Sequence, residues 1–593
     1  MKNPSLMYVS ILAVLLSSCT IKKPEVEIEG ELKRWHTITL HVPGNYAAEY
    51  DYWNPFLDYR LDVAFTKPGD TLVAPGYFAA DGQALEEGSE SGNIWNVKFV
   101  PPDTGTWHYR VHFERARGIA VSDSTGYGEP LRMHGDTGSF RVTETDKEPP
   151  DFRAGGRLVN GGKHYLVHAG TGESFIKTGT NSPENFLAYY GFDQTEPTHL
   201  YKPHAGDWQE GDPDWNEGDG RNIVGAVNYL ASAGVNSVYM LTMNVMGDGD
   251  DVWPWINKTE RTRYDVSKLE QWDRLFSYME KKGIMIHLVT QERENQVLLD
   301  QGETGTIRKL YYRELVARFG HHLGVIWNLG EENGRNYNTS LAQDTRMRKD
   351  MLRYIKKIHH YDPVVVIHTH VAEKDHDRVL EPLLETVLDG PSLQIEGPGP
   401  VHEHVLKWRK ASAASGANWI CTLDEIGHFR LGVVPDDADP EHDTIRDKCL
   451  WGTLMAGGAG VEWYFGYGYP HNDLTAEDFR TRANMWEQSR YARKFFEGLP
   501  VEEMMPADQL VSGGGSYCFT SPGVRYVVYM PPGERSFTLM HDGDGGEFAL
   551  QWFNPRTGEM NRPEAVHLME GYNRFPVPKG FDRGDWVARL TLE

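Results

Sequence analysis

The chain is poor in cysteine and in positive charge. Four cysteines occur among 593 residues, and beyond Cys19 only Cys421, Cys449 and Cys518 remain. These allow at most one internal disulfide, which excludes a disulfide-stapled scaffold. A formal net charge of −25, with no evident basic patch, argues against nucleic acid as a partner because phosphates need cations to neutralise them.

The first residues have the pattern of an export signal. Lys2 supplies the positive end, and Met7 to Leu16 form an apolar stretch too short to cross a bilayer. The following tetrad, Leu16-Ser-Ser-Cys19, resembles the lipobox of bacterial lipoproteins. That resemblance implies a signal peptide over residues 1–19, lipidation of Cys19 and a lipid anchor in the bacterial cell envelope, on the periplasmic or the outer face. An ordinary secretory signal is the alternative.

Three patterns follow along the chain, as expected for a length that exceeds one core. Residues 30–145 alternate short β-type runs with turns, which predicts an antiparallel sandwich. Residues 155–498 alternate strands with helices, the pattern of parallel βα units. Residues 506–593 return to short alternating runs. The predicted fold class is α/β, a (β/α)8 TIM barrel flanked by N-terminal and C-terminal β-sandwich domains.

The central region contains eight strand candidates, the number that a closed barrel requires. One of its helices begins with the capping-box spacing Ser267-Lys-Leu-Glu270 and stops at Gly283. An open doubly wound sheet is the alternative, disfavoured because no glycine-rich phosphate loop follows the first strand. The candidates are Phe175–Thr178, Asn236–Thr242, Ile284–Val289, Gly324–Asn328, Val364–His368, Ser392–Ile395, Trp419–Leu423 and Gly460–Phe465.

Two of these strands run into carboxylates. Trp327-Asn-Leu-Gly-Glu-Glu332 follows the fourth candidate and Cys421-Thr-Leu-Asp-Glu-Ile-Gly427 the seventh. The carboxyl ends of barrel strands are where such folds gather catalytic groups. Two carboxylates facing each other across a pocket are the equipment for cleaving a glycosidic bond.

The two motifs resemble those of clan A glycoside hydrolases, whose acid/base ends strand four in Trp-x-Leu-Gly-Asn-Glu and whose nucleophile ends strand seven in Glu-x-Gly. Apiosidase-like barrels share a similar strand-four motif. The resemblance implies that Glu332 is the acid/base and Glu425 the nucleophile of a retaining reaction. Glu331 replaces the usual asparagine, which normally contacts the sugar. The regions flanking the barrel also resemble an N-terminal sandwich module and a C-terminal β-domain that accompany such barrels.

Other carboxylates near these strand ends have competing interpretations. Glu331 is either a sugar contact or a carboxylate paired with Arg335, and Asp424 is either functional or a structural hydrogen-bonding group. Glu396, which also ends a strand, is the main rival for a catalytic position.

Further candidate sugar contacts lie at or after the predicted strands. No metal or other cofactor is expected, because His402-Glu-His404 lacks the spacing of zinc hydrolases and Gly247–Asp251 lacks the last ligand of a calcium loop. The candidate contacts are Asn181, Asn244, Trp253, Gln291, Asn328, Glu331, His368, Trp463 and Tyr464, with Glu184, Asp248, Trp255, Glu292 and His370 as further possibilities.

The sequence therefore predicts a lipid-anchored retaining glycosidase that cleaves a polysaccharide or an oligosaccharide. A catalytically inactive, surface glycan-binding lipoprotein is the alternative from another class. A matrix-binding adhesin is a weaker third hypothesis that rests on the C-terminal region alone.

Overall fold

The computed structural model describes residues 25–593 except 125, 338 and 428. The predicted signal peptide and Cys19 lie outside this range. Within it, no helix has both the length and the apolar character needed to cross a membrane. Cys421, Cys449 and Cys518 are buried and free of disulfides, so packing and polar contacts hold this part of the chain together.

The N-terminal region folds into two antiparallel sheets that enclose an aromatic core. Phe65 from one sheet stacks on Phe99 from the other, with ring centroids 4.0 Å apart. One sheet, in spatial order, contains Glu27–Glu29, Ile38–Ala48, Ser91–Phe99 and Tyr77–Phe78. The other contains Asp70–Pro75, Tyr59–Lys67, Gly105–Arg115 and Glu129–Pro130, with Thr137–Val142 also paired to Gly105–Arg115.

Eight parallel strands then close into a barrel, which confirms the predicted fold class. The first strand pairs with both the second and the eighth, so the sheet has no open edge. A short antiparallel sheet of Leu158–Asn160, Leu166–His168 and Ser174–Phe175 precedes it. The barrel strands are β1 (Lys177–Thr180), β2 (Ser237–Leu241), β3 (Met285–Val289), β4 (Val325–Asn328), β5 (Val365–His368), β6 (Gly390–Glu396), β7 (Thr422–Gly427) and β8 (Gly460–Trp463).

Helices surround the barrel on its outer side. The longer ones are Arg221–Ala233, Val266–Lys281, Thr306–Phe319, Thr345–Ile358, Glu373–Leu380, Val401–Ser415, Ile445–Trp451 with Gly452–Met455, and Ala483–Glu497. Single-turn helical segments are Ala84–Glu87, Ile119–Val121, Phe152–Gly155, Lys202–Asp207, Arg293–Asn295, Asp300–Gly302, Glu381–Leu383, Phe479–Arg482, Val501–Glu503 and Asp508–Leu510.

One helix start differs from the sequence prediction. The helix Val266–Lys281 is capped by Asp265, whose carboxylate accepts a hydrogen bond of 2.8 Å from the backbone N–H of Lys268. Ser267 lies inside the helix and donates to the carbonyl of Ala84. The predicted capping box at Ser267 is therefore wrong, because the Asp265 carboxylate, which is favoured at the positive end of a helix, takes that place.

Two barrel strands have bounds that differ from the prediction. β1 begins at Lys177 because Phe175 belongs to the preceding antiparallel sheet. β7 extends to Gly427, so that Asp424 and Glu425 lie within the strand instead of after it, with Asp424 at an irregularity of the pairing with β6. A charged residue can continue a buried strand when its partner is also buried, and Asp424 has such a partner in Lys177.

The C-terminal region forms two more antiparallel sheets that pack on the barrel. Trp451 stacks on Tyr529 with ring centroids 5.4 Å apart, and Arg446 makes two hydrogen bonds of 2.9 Å to the buried Asp585. One sheet contains Met505–Pro506, Tyr517–Ser521, Arg525–Met530, Trp586–Leu592, Gly546–Phe553 and Glu564–Leu568, and the other Val511–Ser512, Ser536–His541 and Gly571–Pro576.

Candidate active site

The carboxyl ends of β4, β5 and β7 bring two carboxylates and one imidazole together. One carboxylate oxygen from Glu331, one from Glu425 and one imidazole nitrogen from His368 lie within 4.8 Å of one another. Glu331 and Glu425 are 6% and 5% exposed, respectively, so both lie below the surface of the barrel mouth. Such a set is able to exchange protons, to attack an electrophile or to coordinate a metal ion.

The backbone after β4 turns sharply to present Glu331. Gly330 has φ +146°, and a Cβ built there would lie 2.6 Å from Cγ of Gln291. Only glycine fits such a position without a shift of its neighbour. The backbone N–H of Glu331 then donates to the carbonyl of Gln291 across 2.9 Å. The glycine of the Trp-x-Leu-Gly motif is thus required by the geometry that aims Glu331 inward.

The surroundings of Glu331 favour its protonated form. Burial is the largest influence, and the negative charges of Glu425 and Glu332 add to it, so that the pKa of Glu331 rises to about 7 although His368 opposes the shift. The Oε2 atom of Glu331 has no hydrogen-bond partner among the described residues. A carboxyl group in this state is suited to donating a proton.

Glu425 is held from two sides. The side-chain amide of Gln394 on β6 donates to its Oε1 across 2.6 Å, and Nε2 of His368 lies 3.3 Å from its Oε2. Burial lowers the pKa of His368, but the adjacent Glu425 carboxylate and the other nearby negative charges outweigh burial and raise the pKa above the ordinary value. These two contacts fix the orientation of the Glu425 carboxylate.

Glu332 has a different environment from its neighbour. Nη1 of Arg293 donates to its Oε2 across 2.6 Å, and Nδ1 of His370 lies 3.5 Å from the same oxygen. Burial opposes ionisation, but His370 and Arg293 outweigh it and lower the pKa of Glu332 to about 2. Its backbone lies in the left-handed region, with φ +38°. Glu332 is thus an ionised carboxylate paired with Arg293. The sequence analysis had considered an arginine pair for the neighbouring Glu331, with Arg335.

Further carboxyl groups surround Glu331 and Glu425, which we call the carboxylate pair. Burial, followed by the charge of Glu331, raises the pKa of Glu184 and of Glu292 well above the ordinary value. Burial also raises the pKa of Asp473, whose carboxylate accepts a hydrogen bond from Ser182. Glu184 and Glu292 each keep one oxygen without a hydrogen-bond partner in the described structure. Neutral carboxyl groups both donate and accept, as binding of sugar hydroxyls requires.

A buried ionic cluster lies inside the barrel beneath the pair. Nζ of Lys177 on β1 lies 2.5 Å from Asp424 and 3.2 Å from Glu462 on β8. Nδ1 of His287 on β3 lies 2.8 Å from the same Glu462 oxygen that contacts Lys177. Asp424 is therefore a structural group of the barrel interior, the interpretation that the sequence analysis set beside a functional one.

A chain of contacts joins this cluster to Glu425. Oδ1 of Asn328 accepts hydrogen bonds from the backbone N–H groups of Gly330 and His368. Its Nδ2 must therefore donate to Nε2 of His287, 3.0 Å away. His287 consequently carries its proton on Nδ1 and donates it to Glu462. This series of hydrogen bonds orients the backbone of His368, whose imidazole contacts Glu425.

We expect Lys177→Met to destabilise the fold strongly. The change removes the ammonium group shared by Asp424 and Glu462 and leaves two carboxylates buried without it. Breaking a buried pair from one side costs about 3–5 kcal/mol, which urea unfolding should detect as a lower midpoint. Lys163→Met is the matched control, because that side chain is exposed and lies 3.8 Å from a surface glutamate. An unchanged midpoint for Lys177→Met would contradict the cluster.

Several residues that were predicted to contact sugar use their hydrogen-bonding groups within the protein instead. Asn244 uses both ends of its amide within its own loop, where it contacts Asp248, Asp251 and Val252. Gln291 bonds Gln343 and Arg308. The indole N–H of Trp463 donates to Ser489 on the helix Ala483–Glu497, outside the barrel, and Asn328 is used as described above. Because their hydrogen-bonding groups are occupied, the geometry assigns these four residues to support.

The remaining predicted contacts differ in how they face the pair. Asn181 donates to the carbonyl of Asp424 and keeps a buried Oδ1 without a partner. Tyr464 donates to the carbonyl of Phe429, and its pKa is raised by burial and by nearby carboxylates that include Glu425. Trp253 is buried, with the ammonium groups of two lysines over its ring. Asn181 and Tyr464 remain candidates for substrate contact.

Sequence reasoning missed Gln394, Asp473 and Tyr239. Gln394 is a polar residue within the apolar run of β6, and that interruption was the available signal. Tyr239 on β2 is buried with an unpartnered hydroxyl, and its ring centroid lies 5.7 Å from that of His368. Asp473 follows β8 in a loop, where no local pattern distinguishes it from surface acids.

Large apolar side chains are exposed on the loops that follow β2, β4, β7 and β8. Flat or apolar faces of this kind suit the C–H faces of sugar rings. They are Met246, Tyr337, Leu341, Phe429, Leu431 and Tyr469.

Comparison with known proteins adds three findings. Residues 31–114 match the family described as "Domain of unknown function (DUF5060)", and residues 509–591 match "Putative collagen-binding domain of a collagenase". No curated protein matches the chain. Both matched ranges lie outside the barrel.

Solved structures share the architecture. One, described as a "putative glycoside hydrolase" from Bacteroides vulgatus, is 16% identical over 95% of this chain and 99% of its own, with a TM-score of 0.66. Another, a glycoside hydrolase family 5 protein from Bacteroides vulgatus, is 15% identical over 74% of this chain and 94% of its own, with a TM-score of 0.51. At such identities the likeness establishes the barrel fold.

Proposed function

We propose that the protein is a retaining glycoside hydrolase in which Glu331 is the acid/base and Glu425 the nucleophile. One observation carries this proposal: two carboxyl groups meet at the carboxyl end of a closed barrel, with oxygen atoms within 4.8 Å, one of them buried with a raised pKa and the other held by Gln394 and His368. Retaining enzymes need their carboxyl groups about 5–5.5 Å apart, whereas inverting enzymes leave a wider gap for water.

The reaction would proceed in two displacements. Glu331 gives its proton to the glycosidic oxygen while an oxygen of Glu425 attacks the anomeric carbon, so the C–O bond to the leaving group breaks and a glycosyl ester forms. Glu331, now ionised, takes a proton from water, which attacks the same carbon and frees Glu425. Gln394 and His368 hold the attacking carboxylate in place throughout.

The assignment of the acid/base to Glu331 departs from the motif alignment, which indicated Glu332. A pKa of about 2 leaves Glu332 ionised and without a proton to donate, while Arg293 occupies its oxygen. Glu331 has a pKa of about 7 and an unpartnered oxygen. We therefore propose that Glu332 stabilises the loop after β4.

The solved structures with the same barrel carry the name glycoside hydrolase, which supports the reaction class. A neutral sugar suits the site better than a sulfated or uronic-acid residue, because carboxyl groups surround the catalytic pair. The apiosidase-like subtype and the domain boundaries at 30–145, 155–498 and 506–593 stay predictions, as does the expectation that the reaction requires no metal or cofactor.

Screening with glycans tests the proposal. The purified protein is incubated with a panel of plant and algal polysaccharides and their oligosaccharides, and products are identified by mass. The anomeric configuration of the first product, followed by NMR, should match that of the substrate. A chelator should leave the rate unchanged. Binding to a glycan without cleavage would instead support the inactive glycan-binding lipoprotein, and inverted products would contradict the double displacement.

The pH profile should report the proton on Glu331. Because its pKa is raised to about 7, the protonated acid is lost as the pH rises through that value, and kcat/KM should fall about tenfold per pH unit above it. Rates on a natural oligosaccharide between pH 4 and 9 measure this limb. Glu332→Gln should keep the limb, whereas a flat profile up to pH 9 in the wild type would contradict the assignment.

We further propose that the enzyme is exported and anchored by lipid at Cys19, with its barrel exposed to glycans in the cell envelope. The support is the tetrad Leu16-Ser-Ser-Cys19 after an apolar stretch. Radiolabelled palmitate should label the wild-type protein in a bacterial host and leave Cys19→Ser unlabelled. Labelling of both would contradict the anchor.

A further inference from the structure

Two histidines and a glutamate converge on the N-terminal sandwich, far along the chain from the barrel strands. His112 and Glu114 alternate on the strand Gly105–Arg115 and so share one face. His134 approaches from the turn that precedes Thr137–Val142. One ligand-type atom from each of the three lies within 4.8 Å of the other two.

The carboxylate of this group is buried and incompletely satisfied by the protein. Glu114 is 4% exposed, and its Oε2 has no hydrogen-bond partner among the described residues. Its Oε2 lies 3.4 Å from Nε2 of His112. The cross-strand neighbour, Arg60, donates instead to Asp62. Arg115, the next residue along the chain, donates to Glu129. A buried carboxylate oxygen without a cation is a costly arrangement unless a cation binds there.

The histidines are placed as metal ligands usually are. The ring centroids of His112 and His134 lie 4.7 Å apart. Nδ1 of His134 lies 3.1 Å from the carbonyl oxygen and 3.3 Å from the backbone nitrogen of Phe113, so either tautomer holds the ring against the strand. In the tautomer that donates from Nδ1 to the carbonyl, Nε2 is free to bind a metal ion, and metal-bound histidines are commonly oriented by such a hydrogen bond.

We propose that His112, Glu114 and His134 bind one divalent transition-metal ion, with Zn²⁺ as the best fit. Two imidazoles and one carboxylate are a favourable donor set for zinc. Tetrahedral bonds of about 2.0 Å separate neighbouring ligand atoms by about 3.3 Å, close to the 3.4 Å between His112 and Glu114. Water completes the coordination. The ion links the turn that contains His134 to the strand Gly105–Arg115 and so stabilises the sandwich.

Metal titration of the full-length protein tests this site. Protein without a polyhistidine tag is stripped with a chelator and titrated with ZnCl₂ by calorimetry, and with CoCl₂ by visible absorption. We expect the double variant His112→Ala/His134→Ala to bind one equivalent of Zn²⁺ fewer than the wild type and to lose the absorption of tetrahedral Co²⁺. Glu114→Gln should weaken the same site at least about tenfold, because it removes an anionic ligand.

The matched control is His108→Ala on the same strand, an exposed histidine outside the group. It should bind as many equivalents as the wild type. Zinc should also raise the unfolding temperature of the wild type and of His108→Ala more than that of the double variant. Equal zinc stoichiometry and affinity in wild type and double variant would overturn the proposal. Circular dichroism confirms that the variants fold, as expected for substitutions at solvent-accessible histidines.

Discussion

Glu425→Gln should abolish hydrolysis, lowering kcat by on the order of 10⁴-fold or more. The amide has nearly the shape of the carboxylate and is able to keep contacts with Gln394 and His368. It carries no charge with which to attack the anomeric carbon, so the glycosyl ester does not form. Initial rates on the best substrate from the glycan panel, with binding measured by calorimetry, separate loss of chemistry from loss of affinity.

Glu396→Gln is the matched control for this substitution. Glu396 ends β6, the strand beside Glu425, but its side chain is exposed to solvent. This variant should retain the wild-type rate. Azide should restore turnover to Glu425→Ala by attacking from the vacated side, and the product should be a glycosyl azide of inverted configuration. An active Glu425→Gln, or a Glu396→Gln that is equally inactive, would refute the nucleophile assignment.

The barrel was predictable because its strands are continuous apolar runs with both faces buried. The candidate Ile284–Val289, for example, corresponds to β3 at Met285–Val289. β7 was misplaced because the sequence interpretation ended the strand at its first charge. Asp424 is accommodated inside the buried strand because Lys177, 247 residues earlier, lies beside it. Such a partner is not visible in a local pattern.

The catalytic pair illustrates the same limit. The carboxylate-bearing turn after β4 was located from the sequence, where the motif alignment chose Glu332, whereas our proposal of Glu331 rests on contacts that a motif does not show. That choice depends on the left-handed backbone at Glu332 and on Arg293, which reaches it from the loop after β3. Asn244 and Gln291 were proposed as sugar contacts from position alone, whereas Asp251 and Arg308 occupy their amides.

Substituting each of the two adjacent glutamates should therefore give very different enzymes. Glu331→Gln removes the proton donor, and kcat on natural glycosides should fall by about 10²–10⁴-fold. The loss of kcat/KM, which reports the first displacement, should be much smaller on an aryl glycoside whose leaving group departs without protonation, while kcat still falls because hydrolysis of the glycosyl ester loses its general base. Glu332→Gln should keep kcat within about tenfold, because its ionised carboxylate bonds Arg293 and has no proton to give. Parallel kinetics on both substrate types measure these effects.

The comparison of leaving groups distinguishes chemistry from folding. A misfolded Glu331→Gln would lose kcat/KM on both substrates equally, whereas loss of general acid catalysis lowers kcat/KM mainly for the poor leaving group. Glu332→Gln serves as the control for changing a carboxylate at this turn, and Arg293→Met should behave like it because both changes break the same ion pair. The reverse pattern, with Glu331→Gln active and Glu332→Gln dependent on an activated leaving group, would return the acid/base role to Glu332 as the motif alignment first indicated.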